Sequence, residues 1–200
     1  LSANLFHRNI SNLIRSQTAL EDVSWSPGTP RWVRRPQNIG DATTSGLELE
    51  AKFRLDQAVD GALPVELRAN AAFFRSRVKG IPGPDNRLDQ QARATANLGA
   101  DYRLRSLPLT LGGNVNWVPG TTTRLDVDQT TTTSTKVVWD SYALWTFSPA
   151  AGLRLLANNL VPRDYATTTV TDVQVASGAT ERSTGRSTGP SYVNWQLRLE

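Results

Sequence analysis

The feature that most constrains this chain is an alternation of apolar and polar residues with a period of two. From Leu47 to Asp56 every odd position is apolar and every even position is charged. Successive side chains of a β-strand point to opposite faces, so this segment predicts a strand with one apolar and one charged face. A helix with 3.6 residues per turn would mix the two classes on every side.

The same alternation recurs along the chain and predicts about eight strands. The clear segments are 47–56, 92–105, 107–118 and 193–199, and the weaker ones are 1–14, 63–78, 135–147 and 152–160. The links between them alternate in length. Short links lie at 57–63, 105–107 and 148–152, and long polar links lie at 15–40, 79–89, 119–134 and 161–190. Short turns at one end and long loops at the other are typical of outer-membrane barrels.

Two classes of all-β protein fit an alternating pattern, a transmembrane barrel and a soluble β-sandwich. Mean hydropathy is −0.38, and no apolar run approaches the roughly 20 residues of a membrane-spanning helix. Barrel strands keep average hydropathy low because only one of their faces contacts lipid. Segments such as 92–105 are longer than the usual strand of about 5 or 6 residues, which favours an antiparallel transmembrane β-barrel.

Aromatic residues fall near both ends of the expected strands and share the apolar parity. Outer-membrane barrels place such rings at the two water interfaces, where they form girdles that face lipid. We therefore expect a lipid-facing girdle made of Phe53, Phe73, Tyr102, Trp117, Trp139, Trp145, Phe147 and Trp195.

Three segments resemble strands of TonB-dependent receptor barrels. Residues 38–50 match the pattern N-x-G-x-A-x-x-x-G-x-E-x-E, in which the glycines are expected to bend the chain and the glutamates to begin a lumen-facing row. Residues 89–102 are similar to a further strand of the family. Residues 153–165 are similar to its penultimate strand, which carries an "NL...Y" pattern. The matches follow the family's order along nearly all of the chain.

The resemblance implies that residues 1–200 are the C-terminal part of the barrel of a siderophore-type receptor. Complete barrels of this family have about 22 strands around a plug, so we expect about eight strands here and no plug. The implied function is active import across the bacterial outer membrane, energised by TonB through the plug. With eight strands, the C-terminus is expected in the periplasm. The family often ends on Phe, so we expect trimming after Glu200.

The first long loop carries the best candidates for ligand binding. It contains Trp25, Arg31, Trp32, Arg34 and Arg35. Arginine and tryptophan together bind an anionic, aromatic ligand through charge, guanidinium hydrogen bonds and stacking. A ferric siderophore is such a ligand. The alternative is that these residues contact the outer leaflet at the rim of the barrel.

Other functions find little support in the sequence. His7 is the only histidine, which argues against a histidine-based zinc site or a Ser-His-Asp triad, and it is expected at the lumen or an interface. Asp126 and Asp128 fit a hydrophilic loop better than a cation site. The net charge is +4, but the basic residues alternate with acidic ones and form no basic block, so nucleic-acid binding is not expected. We expect no enzyme activity, no metal and no cofactor.

Two further architectures remain as alternatives. A self-standing small outer-membrane barrel of eight strands would require the strand at Leu1 to pair with Val193–Leu199. A soluble β-sandwich that binds carbohydrate or protein would bury the apolar faces of its strands against a second sheet.

Overall fold

The computed structural model describes residues 1–174 and 178–200 as an all-β protein. In chain order its strands are β1 Ser2–Ile10, β2 Ile14–Glu21, β3 Arg31–Asn38, β4 Ala42–Arg54, β5 Val65–Val78, β6 Ala94–Arg103, β7 Leu109–Val118, β8 Thr121–Arg124, β9 Gln129–Thr133, β10 Lys136–Ser148, β11 Ala151–Asn158, β12 Tyr165–Gln174, β13 Thr180–Gly189 and β14 Asn194–Leu199. A single-turn 3-10 helix covers Leu55–Gln57. No helix among the described residues is long and apolar enough to cross a membrane.

Eight of the strands form one antiparallel sheet in the order β1-β4-β5-β6-β7-β10-β11-β14. Its connections alternate between short and long, which confirms the expected eight-stranded, all-β architecture and the positions of the short turns. In the part of the chain that the structure describes, β1 and β14 lie at opposite edges of this sheet. The pairing that a self-closed barrel of eight strands requires is therefore not formed.

The register of the sheet keeps residues of one kind on one face. Leu49 pairs with Ala71, Ala71 with Ala96, and Ala96 with Trp117, which makes an apolar row across four strands. The neighbouring row on the other face is polar, and it consists of Glu50, Asn70, Asn97 and Asn116. A shift of one residue in any pairing would exchange the two faces of that strand, so the alternation in the sequence fixes the register.

No second layer of described residues covers the apolar face of the large sheet. Phe73 and Leu98 lie within this face and are 51% and 52% exposed. A β-sandwich buries such residues against its other sheet, so the soluble sandwich is not the fold of this chain. Most of the expected girdle residues are likewise exposed, whereas Tyr102 is only half-buried; the exposed ones are Phe53, Phe73, Trp117, Trp139, Trp145, Phe147 and Trp195.

Three of the four long links contain strands, and the expectation of plain polar loops was wrong there. The first link folds into the β2–β3 hairpin, and the third and fourth together form a four-stranded sheet in the order β13-β12-β9-β8. Threonine favours strands, but these strands are polar on both faces and so show no period-two hydrophobic signal. Within the fourth link, residues 175–177 lie outside the described residues.

A small buried cluster lies where the long links meet the large sheet. It consists of Ile39, Ala42, Val78 and Ile81, and Ile10, Leu13 and Leu88 pack against it. Gly40 adopts a φ of +90°, so it does bend the chain into β4 as expected. Gly46 does not bend the chain, because it lies within the regular part of β4. A β-carbon there would be 2.6 Å from the Phe6 ring, so Gly46 makes room for that ring.

The two faces of β4 provide a direct test of this fold in a bilayer. Leu49 and Glu50 are adjacent but point to opposite faces near the middle of the apolar stretch. We expect Leu49→Arg to lower the free energy of unfolding of the full-length protein by about 2 to 4 kcal/mol, because it places a charge in hydrocarbon. Glu50→Arg, the matched control on the polar face, should change it little. Urea unfolding in lipid vesicles measures both, and equal losses would contradict the assignment of faces.

Candidate functional site

The β2–β3 hairpin positions the residues that the sequence singled out for ligand binding. Leu20 pairs with Trp32, and Thr18 pairs with Arg34. Because the side chains of a strand alternate, Trp32 and Arg34 share one face of the hairpin and Arg31 and Arg35 share the other. The five predicted residues therefore lie on one hairpin but do not form a single cluster.

Two of the three candidate arginines, Arg31 and Arg35, already have partners within the hairpin. The Arg31 guanidinium lies 6.0 Å from the centre of the Trp25 ring, and its Nε donates to Ser26 Oγ at 2.9 Å. Arg35 Nε lies 3.2 Å from a Glu21 carboxylate oxygen. Arg34 forms no ion pair with any described residue. Trp32, on the same face, is 54% exposed, so this pair of side chains is available to a ligand.

The polar face of the large sheet carries a hydrogen-bonded network. Asn97 Nδ2 donates to Asn70 Oδ1 at 2.6 Å, and Asn116 Nδ2 donates to Asn97 Oδ1. Asp101 forms an ion pair with Arg68 and accepts a hydrogen bond of 2.6 Å from the Tyr142 hydroxyl. These contacts link β5, β6, β7 and β10 through side chains as well as through the backbone.

The network continues to the edge of the sheet and borders a cavity. The Arg154 guanidinium lies 4.8 Å from the centre of the Tyr142 ring, and its Nε lies 2.8 Å from a Glu200 carboxylate oxygen. A cavity of about 420 Å³ is lined by Asp101 and Tyr142, among others. A β-carbon at Gly112 would overlap both the Asp101 carboxylate and the Tyr142 ring. Glycine is therefore required at this position for the two side chains to meet.

The barrel-like meander and the separation of an apolar from a polar face agree with a comparison of the sequence with known families. The family described as "TonB dependent receptor-like, beta-barrel" matches residues 1–160. The chain belongs to this family. The match covers β1 to β11, and it confirms the resemblance seen in the sequence. No curated protein and no solved structure matches the chain significantly.

Membership of this family indicates where the protein is located and what its broad function is. Receptors of the family are transporters of the bacterial outer membrane that take energy from TonB, so this chain is part of a transport barrel. Among the described residues, no group of three or more His, Asp or Glu side chains is arranged to hold a metal ion. His7 lies on the apolar face with Leu5 and Leu47, near the long-link end of β1.

Arg15 joins three of the long links of the receptor barrel. Its two terminal nitrogens donate to the carbonyl oxygens of Leu125 and Arg87, each at 3.0 Å. Burial lowers the pKa of Arg15, and Asp89 and Asp126 oppose that shift. This contact could not be predicted from the sequence, because both acceptors are backbone carbonyls that lie far away along the chain.

Arg87 and a hydroxyl-rich cavity lie in the same layer of links. Arg87 is only 7% exposed, and burial lowers its pKa, with Arg93 adding to the shift. Its Nη2 donates to the Phe74 carbonyl oxygen at 3.2 Å. The cavity, of about 460 Å³, lies between the second link and the four-stranded sheet; its polar lining residues include Gln91, Thr121, Thr131, Thr133 and Tyr165. None of the five hairpin candidates lines either cavity.

Removing the Arg15 contact should loosen the layer of links without unfolding the barrel. The Arg124 amide donates to the Asp85 carbonyl oxygen at 2.8 Å, between two of the segments that Arg15 joins. We expect Arg15→Gln to make hydrogen exchange at this amide about tenfold faster, because two charged hydrogen bonds are lost. Arg34→Gln, on the same hairpin, is the control and should leave exchange at Arg124 unchanged. Unaltered exchange in Arg15→Gln would show that the links are held together by other contacts.

Proposed function

We propose that this receptor binds a ferric siderophore at its extracellular loops and imports it into the periplasm with energy from TonB. The observation that carries the proposal is the exposed pair Trp32 and Arg34 on one face of the β2–β3 hairpin. The neighbouring pair of Trp25 and Arg31 adds a second aromatic surface beside a cation.

The chemistry of these two pairs suits an anionic ligand with planar groups. A guanidinium group binds carboxylate or catecholate oxygens through parallel hydrogen bonds, and a tryptophan ring offers a surface for stacking. The Arg34 side chain makes no hydrogen bond or ion pair with any described residue, whereas the Arg35 charge is partly offset by Glu21 at 3.2 Å. The pair on the Trp32 face is therefore the better candidate for contact with the ligand.

The edges of the large sheet support its place in a larger barrel. β1 and β14 each have a sheet neighbour on one side only among the described residues. An unpaired backbone edge is costly in hydrocarbon, so we propose that both strands pair with further strands of a barrel of about 22. Residues 1–200 would then form its C-terminal part, with the C-terminus in the periplasm. In this arrangement a plug domain, through which TonB acts, lies against the polar face.

The apolar face would contact outer-membrane lipid. We propose that the aromatic girdles at the two membrane–water interfaces consist of Phe53, Phe73, Tyr102, Trp117, Trp139, Trp145, Phe147 and Trp195. Along β5 the apolar positions run from Val65 to Phe73. Nine residues at about 3.4 Å each, in a strand tilted by about 40°, span roughly 23 Å, close to the height of the apolar band of such barrels.

Variants of the neighbouring residues Arg34 and Arg35 of β3 distinguish a role in ligand binding from contact with the outer leaflet. We expect Arg34→Ala in the full-length receptor to weaken binding of its siderophore about tenfold, because a charge-assisted hydrogen bond is lost. Arg35→Ala should have a smaller effect, since its side chain points to the other face and binds Glu21. Growth of a deletion strain on single iron sources identifies the ligand, and quenching of tryptophan fluorescence gives its affinity. If neither variant alters uptake of any siderophore tested, these residues are rim contacts and the loop assignment fails.

A further inference from the structure

The apolar face of β5 changes character abruptly after Phe73. Arg75 and Arg77 are the next residues of the same parity, and both are exposed. The register of β4 and β5 continues without a shift to the end of the hairpin, with Arg75 opposite Ser45 and Arg77 opposite Thr43. Both arginines therefore point out of the same face as Phe73, just beyond the apolar stretch.

Toward β4 and β1, the rows of these two arginines contain polar groups but no carboxylate among the described residues. Ser45 pairs with His7, and Thr43 pairs with Asn9, so both rows continue on that side with neutral or basic side chains. Neither Arg75 nor Arg77 forms an ion pair with any residue that the structure describes. The acid that follows along the hairpin, Asp41, lies 3.8 Å from the Lys79 ammonium.

At the opposite end of the same face, no described residue carries such a charge. The outward rows there pair Phe53 with Leu67 and Val65 with Tyr102, and Tyr102 pairs with Leu111. Charged residues near that end lie on the polar face or in the turns; Arg54, for example, binds Asp56 at 2.7 Å. The outer wall is thus basic at the long-link end and neutral at the short-turn end.

We propose that Arg75 and Arg77 bind the phosphate groups of a phosphorylated lipid headgroup in the outer leaflet. The two residues are about 7 Å apart along the strand, which lets both guanidinium groups reach one headgroup that carries two phosphates. Guanidinium forks match phosphate oxygens in geometry, and Phe73 directly below supplies contact for the acyl chains. The inference rests on the proposed contact of the apolar face with lipid, but it does not depend on the identity of the transported ligand.

The test is binding of diphosphoryl lipid A to the full-length receptor in neutral detergent. We expect the double variant Arg75→Gln and Arg77→Gln to bind it about 10- to 30-fold more weakly, because each basic residue near an anionic lipid surface strengthens binding several-fold. The matched control is Arg103→Gln with Arg105→Gln, which removes two charges near the short-turn end and should leave the affinity unchanged. Lysine at positions 75 and 77 should restore part of the affinity, because charge is kept and the fork is lost.

Three results would overturn the proposal. The first is no measurable binding of diphosphoryl lipid A by the unaltered receptor. The second is equal affinity in the double variant and the control. The third is displacement of bound lipid A by an equal concentration of inorganic phosphate, because this would show that the site binds free phosphate instead of a lipid headgroup. Siderophore affinity, measured in the same samples, should not change in the double variant, which separates this test from that of the proposed transport function and shows that the variant is folded.

Discussion

The structure depends on the continuous backbone pairing of the eight-stranded sheet. In hydrocarbon each N–H and C=O needs a partner inside the protein, and strands meet this need only through their neighbours. The pairing also fixes which side chains share a face. Because Leu49, Ala71, Ala96 and Trp117 lie in one row, the adjacent row of Glu50, Asn70, Asn97 and Asn116 lies wholly on the other face.

The functional surfaces follow from the same pairing. The β2–β3 hairpin and the four-stranded threonine-rich sheet are built in the links at one end of the large sheet, where Arg15 joins three of those links. The polar network around Asp101 and Tyr142 exists because the register brings β6 and β10 to either side of Gly112. The large sheet thus sets the positions of the proposed binding surface in the links and of the polar face, and the links vary around it.

The sequence alone was sufficient for the large sheet and insufficient for the site. Alternation at 47–56 and 92–105 located the strands, because one face of each is apolar and the other is not. It could not locate β8, β9, β12 or β13, because these threonine-containing strands are largely polar on both faces. It singled out Trp32 and Arg34 as candidates, but the face that they share and the partners of Arg31 and Arg35 depend on the hairpin's geometry. Contacts such as that of Arg15 with Leu125, across 110 residues, leave no local signal.

If the apolar face of the large sheet contacts lipid, exposure to lipid must alternate along β5, and this alternation can be measured directly. Residues 1–200 contain no cysteine, so single cysteines at positions 65 to 77 can each carry a spin label in the full-length protein in bilayers. We expect labels at odd positions from 65 to 73 to be highly accessible to oxygen and labels at even positions to be much less so. At 75 and 77 the labels should instead be accessible to a water-soluble nickel complex. Uniform values along the strand, or the opposite parity, would contradict contact of the apolar face with lipid.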